Sequence, residues 1–166
     1  RSYKKKCEKL ILNNKKKFSN YQIWRPFNLV GPCYNSSDHF YNILFKKMFI
    51  EKKNFYSFKG NINDKRGYSS VDEFTKVMLK YSNTKKNFIK DFGNPKLVKI
   101  REIVNLFNKK YFRLNKKYFE FEFLSNKRNV SKIRLNKKNV YSKNDSMSIF
   151  KNYLRNSFYV KKMQNL

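Results

Sequence analysis

The side chains with the most capacity for chemistry in this sequence are cations. They come in clusters: Lys4, Lys5 and Lys6; Lys15, Lys16 and Lys17; Lys109, Lys110 and Arg113; Lys116 and Lys117; Lys127 and Arg128; Lys132, Arg134, Lys137 and Lys138; Lys161 and Lys162. Clustered Lys and Arg hold phosphates by charge, and the 12 Tyr and 17 Phe can stack on exposed bases. Other chemistries find little support. Asp72-Glu73 stands at the start of an expected helix, where capping outweighs metal binding. Glu120 and Glu122 point the same way from one extended run, as paired catalytic carboxylates do, but the surrounding Lys and Arg make charge balance their expected role. His39 is the single histidine and follows Asp38 at the start of an expected helix, where a structural first-turn role outweighs catalysis. Cys7 and Cys33 lack paired ligand spacing and read as ordinary thiols. No Gly-rich phosphate loop, nucleophile elbow, H-E-x-x-H or Cys-x-x-Cys occurs. These residues point to a binding protein: not an enzyme, with no cofactor, no metal and no catalytic residue.

Charge supports the same expectation. The 166 residues hold 40 Lys+Arg against 11 Asp+Glu, a formal charge of +29. A compact domain at that charge repels itself, so a polyanion is the expected partner, and nucleic acid the first choice. An anionic membrane is the competitor. The cations are spread along the chain and not gathered beside one apolar segment, and neither a spanning run nor a signal-peptide pattern is found. The chain has no alanine, and Lys, Asn, Phe, Tyr, Ile and Leu dominate. That choice follows A+T-rich codons and suggests an organelle: a mitochondrion, with a plastid or a reduced endosymbiont as the lesser possibilities.

The elements that must position these cations read as mostly helical. Residues 1–35 form a basic N-terminal arm, with Trp24, Pro26, Gly31 and Pro32 marking a connector. Ser36-Ser37-Asp38 caps a helix over about 38–53, with Phe40, Leu44 and Met48 on one face. Residues 54–58 read as a further helical turn before Gly60, and Gly67 closes a polar loop. Ser70 and Glu73 have capping-box spacing, and the helix they open runs to about Tyr81. Residues 82–94 read as loop or weak helix extension. After Pro95 the pattern is ambiguous between helix and strand. Phe119, Phe121 and Phe123 alternate with Glu120 and Glu122, as in a strand. With Tyr111 to Leu114 before it, this predicts a β-hairpin around 104–124. Its basic turn is at Asn115 to Lys117, or alternatively at Asn108 to Lys110. Residues 126–139 read as a basic helix-like segment. Asn144-Asp145-Ser146 caps a helix lined by Ile149, Phe150, Tyr153, Leu154 and Phe158. The expected fold is mainly α: a helical bundle in one domain, 36–166, with one protruding β-hairpin and basic terminal extensions.

Several local patterns, in order, carry a family resemblance. They are Phe40-Tyr41-Asn42-Ile43-Leu44-Phe45-Lys46-Lys47, Asn54 to Phe58, Ser70 to Val77, Asn94 to Lys99, Arg113 to Phe123 followed by Lys127-Arg128, Asn152 to Asn156, and Tyr159 to Lys162. Together they resemble bacterial-type ribosomal protein seven of the small subunit. The hairpin glycines and the V-P of that family are replaced here, by Asn115 and Lys116 and by Phe121 and Glu122. The resemblance implies a structural constituent of the small ribosomal subunit, and the A+T-rich composition makes that subunit the mitochondrial one, in the matrix. It implies that the protein binds the 3′ major domain of small-subunit rRNA in the head, through the cations named above. It also implies neighbouring small-subunit ribosomal proteins as partners, mRNA and exit-site tRNA near the hairpin, and no membrane. The alternatives are another organellar ribosomal protein, or a non-catalytic fragment of a nucleic-acid enzyme.

Overall fold

The computed structural model describes residues 2–31, 39–125, 130–131 and 138–164. The chain opens with helix α1 (Ser2–Asn13) and a 3-10 turn at Lys15–Lys17, then enters strands β1 (Gln22–Pro26) and β2 (Leu29–Val30). Helix α2 (Phe40–Phe45) continues as a π-helical turn over Lys46–Ile50. Strands β3 (Phe55–Phe58), β4 (Lys65–Gly67) and β5 (Ser69–Ser70) lead into α3 (Val71–Ser82). Then come β6 (Phe88–Gly93), β7 (Leu97–Lys99), α4 (Ile100–Asn115) and β8 (Glu120–Phe123). Strands β9 (Val130–Ser131) and β10 (Val140–Tyr141) precede the closing helix α5 (Ser146–Gln164).

The strands form four small sheets, ordered β1-β6-β10, β2-β5, β3-β8 and β7-β4-β9. Every pairing is parallel except β4 with β7. Parallel neighbours cannot be joined by a tight turn, so the helices serve as crossovers. This is an α/β fold, and the expected helical bundle is corrected. Residues 88–93 hold Phe88, Ile89 and Phe92 in a strand with both neighbours paired, where burial on two sides blurs the alternation that marks a half-exposed strand. Residues 54–58 read in sequence as a helical turn, but Phe55–Phe58 form the strand β3.

The protruding hairpin is also corrected. Ile100, Ile103, Val104, Phe107 and Tyr111 are buried on one face of α4, a helical stripe that takes in the supposed first strand. The Glu102 carboxylate accepts the backbone N–H of the N-cap, Lys99, at 3.1 Å. At the other end Lys116 has φ 58 and closes the helix in the left-handed region. Asn115 to Lys117 is therefore a helix terminus, and Asn108 to Lys110 lies within the helix. The alternation of 119–123 does mark a strand, β8. Its partner is β3, in parallel, with Tyr56 opposite Phe121 and Phe58 opposite Phe123.

Two of the three capping signals can be compared with the helices. Ser70 Oγ accepts the Glu73 N–H at the start of α3, at 3.3 Å. Asp145 Oδ2 accepts the Ser148 N–H at the start of α5, at 3.0 Å. The Ser36 to Asp38 cluster lies outside the described residues, as does most of the basic segment 126–139. Residues 22–30 are not an arm: β1 and β2 pair with β6 and β5, and the Tyr41 hydroxyl donates to the Leu29 carbonyl at 2.7 Å.

Without alanine, the core is built from rings. Tyr41, Phe45, Phe107, Phe150 and Tyr153 meet between α2, α4 and α5 at centroid separations of 5.2–6.4 Å. The buried phenols are satisfied, Tyr153 donating to Asn42 Oδ1 at 2.7 Å. A second group, Trp24 with Phe74, Tyr81 and Phe88, seats α3 on the β1-β6 pair.

Candidate functional site around Arg66

Strand β4 is the central strand of its sheet, between β7 and β9. Along it Lys65 is exposed, Arg66 half-buried and Gly67 buried. Gly67 is obligatory, because a Cβ there would lie 1.9 Å from the Asn94 carbonyl oxygen. The Gly67 carbonyl accepts Asn28 Nδ2 at 3.0 Å. Asn94, itself buried, donates through Nδ2 to the Tyr68 and Asn144 carbonyls at 2.8 and 2.9 Å. These amides fix the strand, and with it the side chain of Arg66.

Arg66 divides two small hollows. One, about 50 Å³, is lined by Phe40, Phe58, Lys59, Asp64, Arg66 and Phe123 among others. The other, about 20 Å³, is lined by Asn28, His39, Phe40, Tyr41, Arg66 and Tyr68. The guanidinium reaches the buried Asp64 carboxylate only at 3.6 Å, and its Nε is buried without a hydrogen-bond partner among the described residues. A buried donor left unsatisfied is costly unless a ligand or water takes it. Around it the walls are aromatic. Phe58 and Phe123 stack at 5.4 Å, and Phe40 meets Phe58 edge-on at 5.8 Å. Burial pushes the Tyr68 phenol up from its ordinary value, the Arg66 charge opposing it, so Tyr68 is a neutral wall of the cleft. An oriented guanidinium, a second cation at Lys59 and flat apolar walls suit an anion attached to a ring.

The cations singled out on the sequence do not gather here. Lys4, Lys5 and Lys6 are exposed on α1, and Lys15, Lys16 and Lys17 on the following turn. Lys109, Lys110 and Arg113 lie on α4, with Lys116 and Lys117 at its end. Lys138 is exposed just before β10. Lys161 and Lys162 lie within α5. Lys127, Arg128, Lys132, Arg134 and Lys137 are outside the described residues. Glu120 and Glu122 are exposed on β8 and are not brought to the cleft. His39 is the N-cap residue of α2, its ring stacked on Tyr41 at 5.6 Å, and lines the smaller hollow. Glu73 does more than stand in a capping box: its carboxylate accepts the Ser142 hydroxyl at 2.5 Å, the Lys143 N–H at 2.6 Å and Asn144 Nδ2 at 3.2 Å. The sequence reading missed Arg66, Asn28, Phe40 and Phe58 as site residues. The available signal was weak: Phe55, Tyr56 and Phe58 are strand-favouring aromatics, and Gly67 stands at the end of β4 where a backbone approaches closely.

The sequence matches no protein-family model, and it matches no curated protein. Solved structures do match. MoeE5 in complex with UDP-glucose and NAD aligns with a TM-score of 0.60 and 11% identity, over 82% of this chain and 48% of its own. UDP-glucuronic acid 4-epimerase from Bacillus cereus, in complex with UDP-glucuronic acid and NAD, aligns at 0.56 and 18%, over 85% and 45%. RMD from Pseudomonas aeruginosa, complexed with NADPH, aligns at 0.52 and 19%, over 68% and 38%. This chain spans less than half the length of each.

These likenesses overturn the ribosomal reading. The fold is one carried by NAD- and NADPH-binding enzymes, not that of a small-subunit ribosomal protein. The expected partners fall with it: rRNA, ribosomal proteins, mRNA and tRNA. The expectation that the protein is not an enzyme is corrected too, because the fold is one that epimerases carry. The physical reason is that the resemblance rested on the order and spacing of short patterns, none of which specifies a fold by itself. Phe40 to Phe45 has the pattern any buried helix would have, and high positive charge does not specify a fold.

Proposed function

We propose that this chain is the sugar-nucleotide-binding portion of an enzyme of the NAD(P)-dependent epimerase or dehydratase kind. The observation that carries the proposal is Arg66. Its guanidinium is held on a central strand, its Nε is buried without a partner among the described residues, and aromatic walls flank it. The diphosphate of a nucleotide sugar is too large for either hollow and would lie across their mouths, on the exposed part of the Arg66 side chain, with Lys59 adding charge. The flat apolar surface of Phe40, Phe58 and Phe123 would hold the ring at one end. The fold it shares with structures solved with UDP-glucose or UDP-glucuronic acid supports the same substrate class.

The residues present do not fit the dinucleotide. The sequence has four glycines and no G-x-G-x-x-G. The space beside Gly31 is filled by Val71, and that beside Gly67 by the Asn94 carbonyl, so neither opens a cradle for a pyrophosphate. The chain's own part in the reaction is to bind the diphosphate, orient it along β4 and exclude water with its aromatic walls.

Titration calorimetry with UDP-glucose tests this. Binding is expected, with Arg66→Ala weakening it at least tenfold, and Arg66→Lys, which keeps the charge but not the fork, giving an intermediate loss. UDP-glucose that fails to bind, or binds the Arg66→Ala chain equally well, would refute the assignment.

A further inference from the structure

Helices α4 and α5 pack together, and each presents a matching stripe to the groove between them. On α4 the stripe is Leu106, Lys109, Lys110 and Arg113; on α5 it is Lys151, Leu154, Arg155 and Phe158. Both run i, i+3, i+4, i+7, so each stripe is one helix face. The floor is apolar. Leu154 is buried, and Leu106 and Phe158 are half-buried against the core. The rim is cationic: five of the eight lining residues are Lys or Arg, and none is acidic. Lys109, Arg113, Lys151 and Arg155 are exposed, and the Lys110 ammonium lies over the Phe158 ring, 5.2 Å from its centre. Among the described residues none of the five joins an ion pair. Lys109 with Arg113, and Lys151 with Arg155, are like charges at i,i+4, a spacing that works against each helix.

The groove has a volume of about 470 Å³. It joins two features that one occupant must answer: a self-repelling rim and an apolar floor. A nucleic-acid backbone neutralises the rim but brings no aliphatic anchor to the floor. A bilayer surface meets the rim but does not enter a concave cleft between helices. An amphipathic helix with carboxylates flanking its apolar face answers both. We propose that the α4–α5 groove docks an acidic amphipathic helix of a protein partner. Its apolar side chains sit on Leu106, Leu154 and Phe158, and its carboxylates meet Lys109, Arg113, Lys151 and Arg155. None of these residues lines the Arg66 cleft, so the proposal does not depend on the substrate assignment.

The test is fluorescence anisotropy with a labelled Glu- and Leu-containing peptide of helical amphipathic pattern, beside a scrambled peptide of the same composition. Polyuridylate RNA and phosphatidylserine vesicles serve as competitors. The patterned peptide should bind at least tenfold more tightly than the scrambled one. The double variant Lys109→Glu/Arg155→Glu should lose at least tenfold for the patterned peptide while keeping the parent's circular dichroism and thermal midpoint. Leu106→Ala should weaken the patterned peptide and leave RNA binding unchanged. Equal binding of the two peptides, or displacement by RNA or vesicles at equivalent charge, overturns the proposal in favour of general polyanion binding. Retention of the patterned peptide by the folded double variant overturns it as well.

Discussion

At the scale of single residues, three positions show how local chemistry decides placement. Arg66 is held by a strand and weakly met by one carboxylate, so its substitution should be read in ligand binding, as set out above. Gly67 permits the close approach of the Asn94 carbonyl, and no residue with a Cβ fits there. Lys116 is the contrary case: a residue with a Cβ in the left-handed region, exposed, at the end of α4. The left-handed conformation costs an L-residue about 1–2 kcal/mol, and glycine escapes most of that. Lys116→Gly should therefore stabilise the fold by roughly 0.5–1 kcal/mol after the entropy glycine loses. Urea denaturation of the two chains measures it, and a lower midpoint for the glycine variant would show that Lys116 has contacts outweighing its backbone strain.

At the scale of elements, Glu73 links the first turn of α3 to the segment between β10 and α5 through three accepted hydrogen bonds. Bonds to a charged acceptor are the stronger kind, so Glu73→Ala should cost about 1–3 kcal/mol. Hydrogen exchange should show the Lys143 amide losing protection first. Protection retained at Lys143 would mean that the segment is held from elsewhere. The start of α3 was legible in sequence because a cap is a local device: Ser70 and Glu73 need only each other. The start of α5 was legible for the same reason, through Asp145 and Ser148. The stripe Ile149, Phe150, Tyr153 and Leu154 was equally plain, because a long amphipathic helix repeats its signal. What could not be read was pairing. Strand β8 shows its alternation, but nothing within 119–123 says that its partner is β3 and not the preceding segment. The Arg66 cleft was hidden likewise. Asn28, Phe40, Phe58, Arg66 and Phe123 meet only after β3, β4 and β8 have found their neighbours.

At the scale of the whole molecule, the chain carries a formal charge of +29, and the described core is rich in aromatic rings. Self-repulsion of this kind weakens as counterions screen it, the Debye length falling from about 30 Å at 0.01 M to about 10 Å at 0.1 M salt. The thermal midpoint should rise over that range, and scanning calorimetry at several sodium chloride concentrations checks it. A midpoint that falls with salt would mean that attractive pairs such as Arg25 with Asp91 outweigh the repulsion. The parallel pairings of the sheets have a further consequence. Each joins strands far apart along the chain, as when Gln22 meets Phe88 or Phe55 meets Glu120. Strand partners must therefore be brought together by diffusion of long loops, and the entropy of closing those loops comes before any ladder can reward it. The cleft that holds Arg66 depends on two such closures, β3 with β8 and β4 with β9.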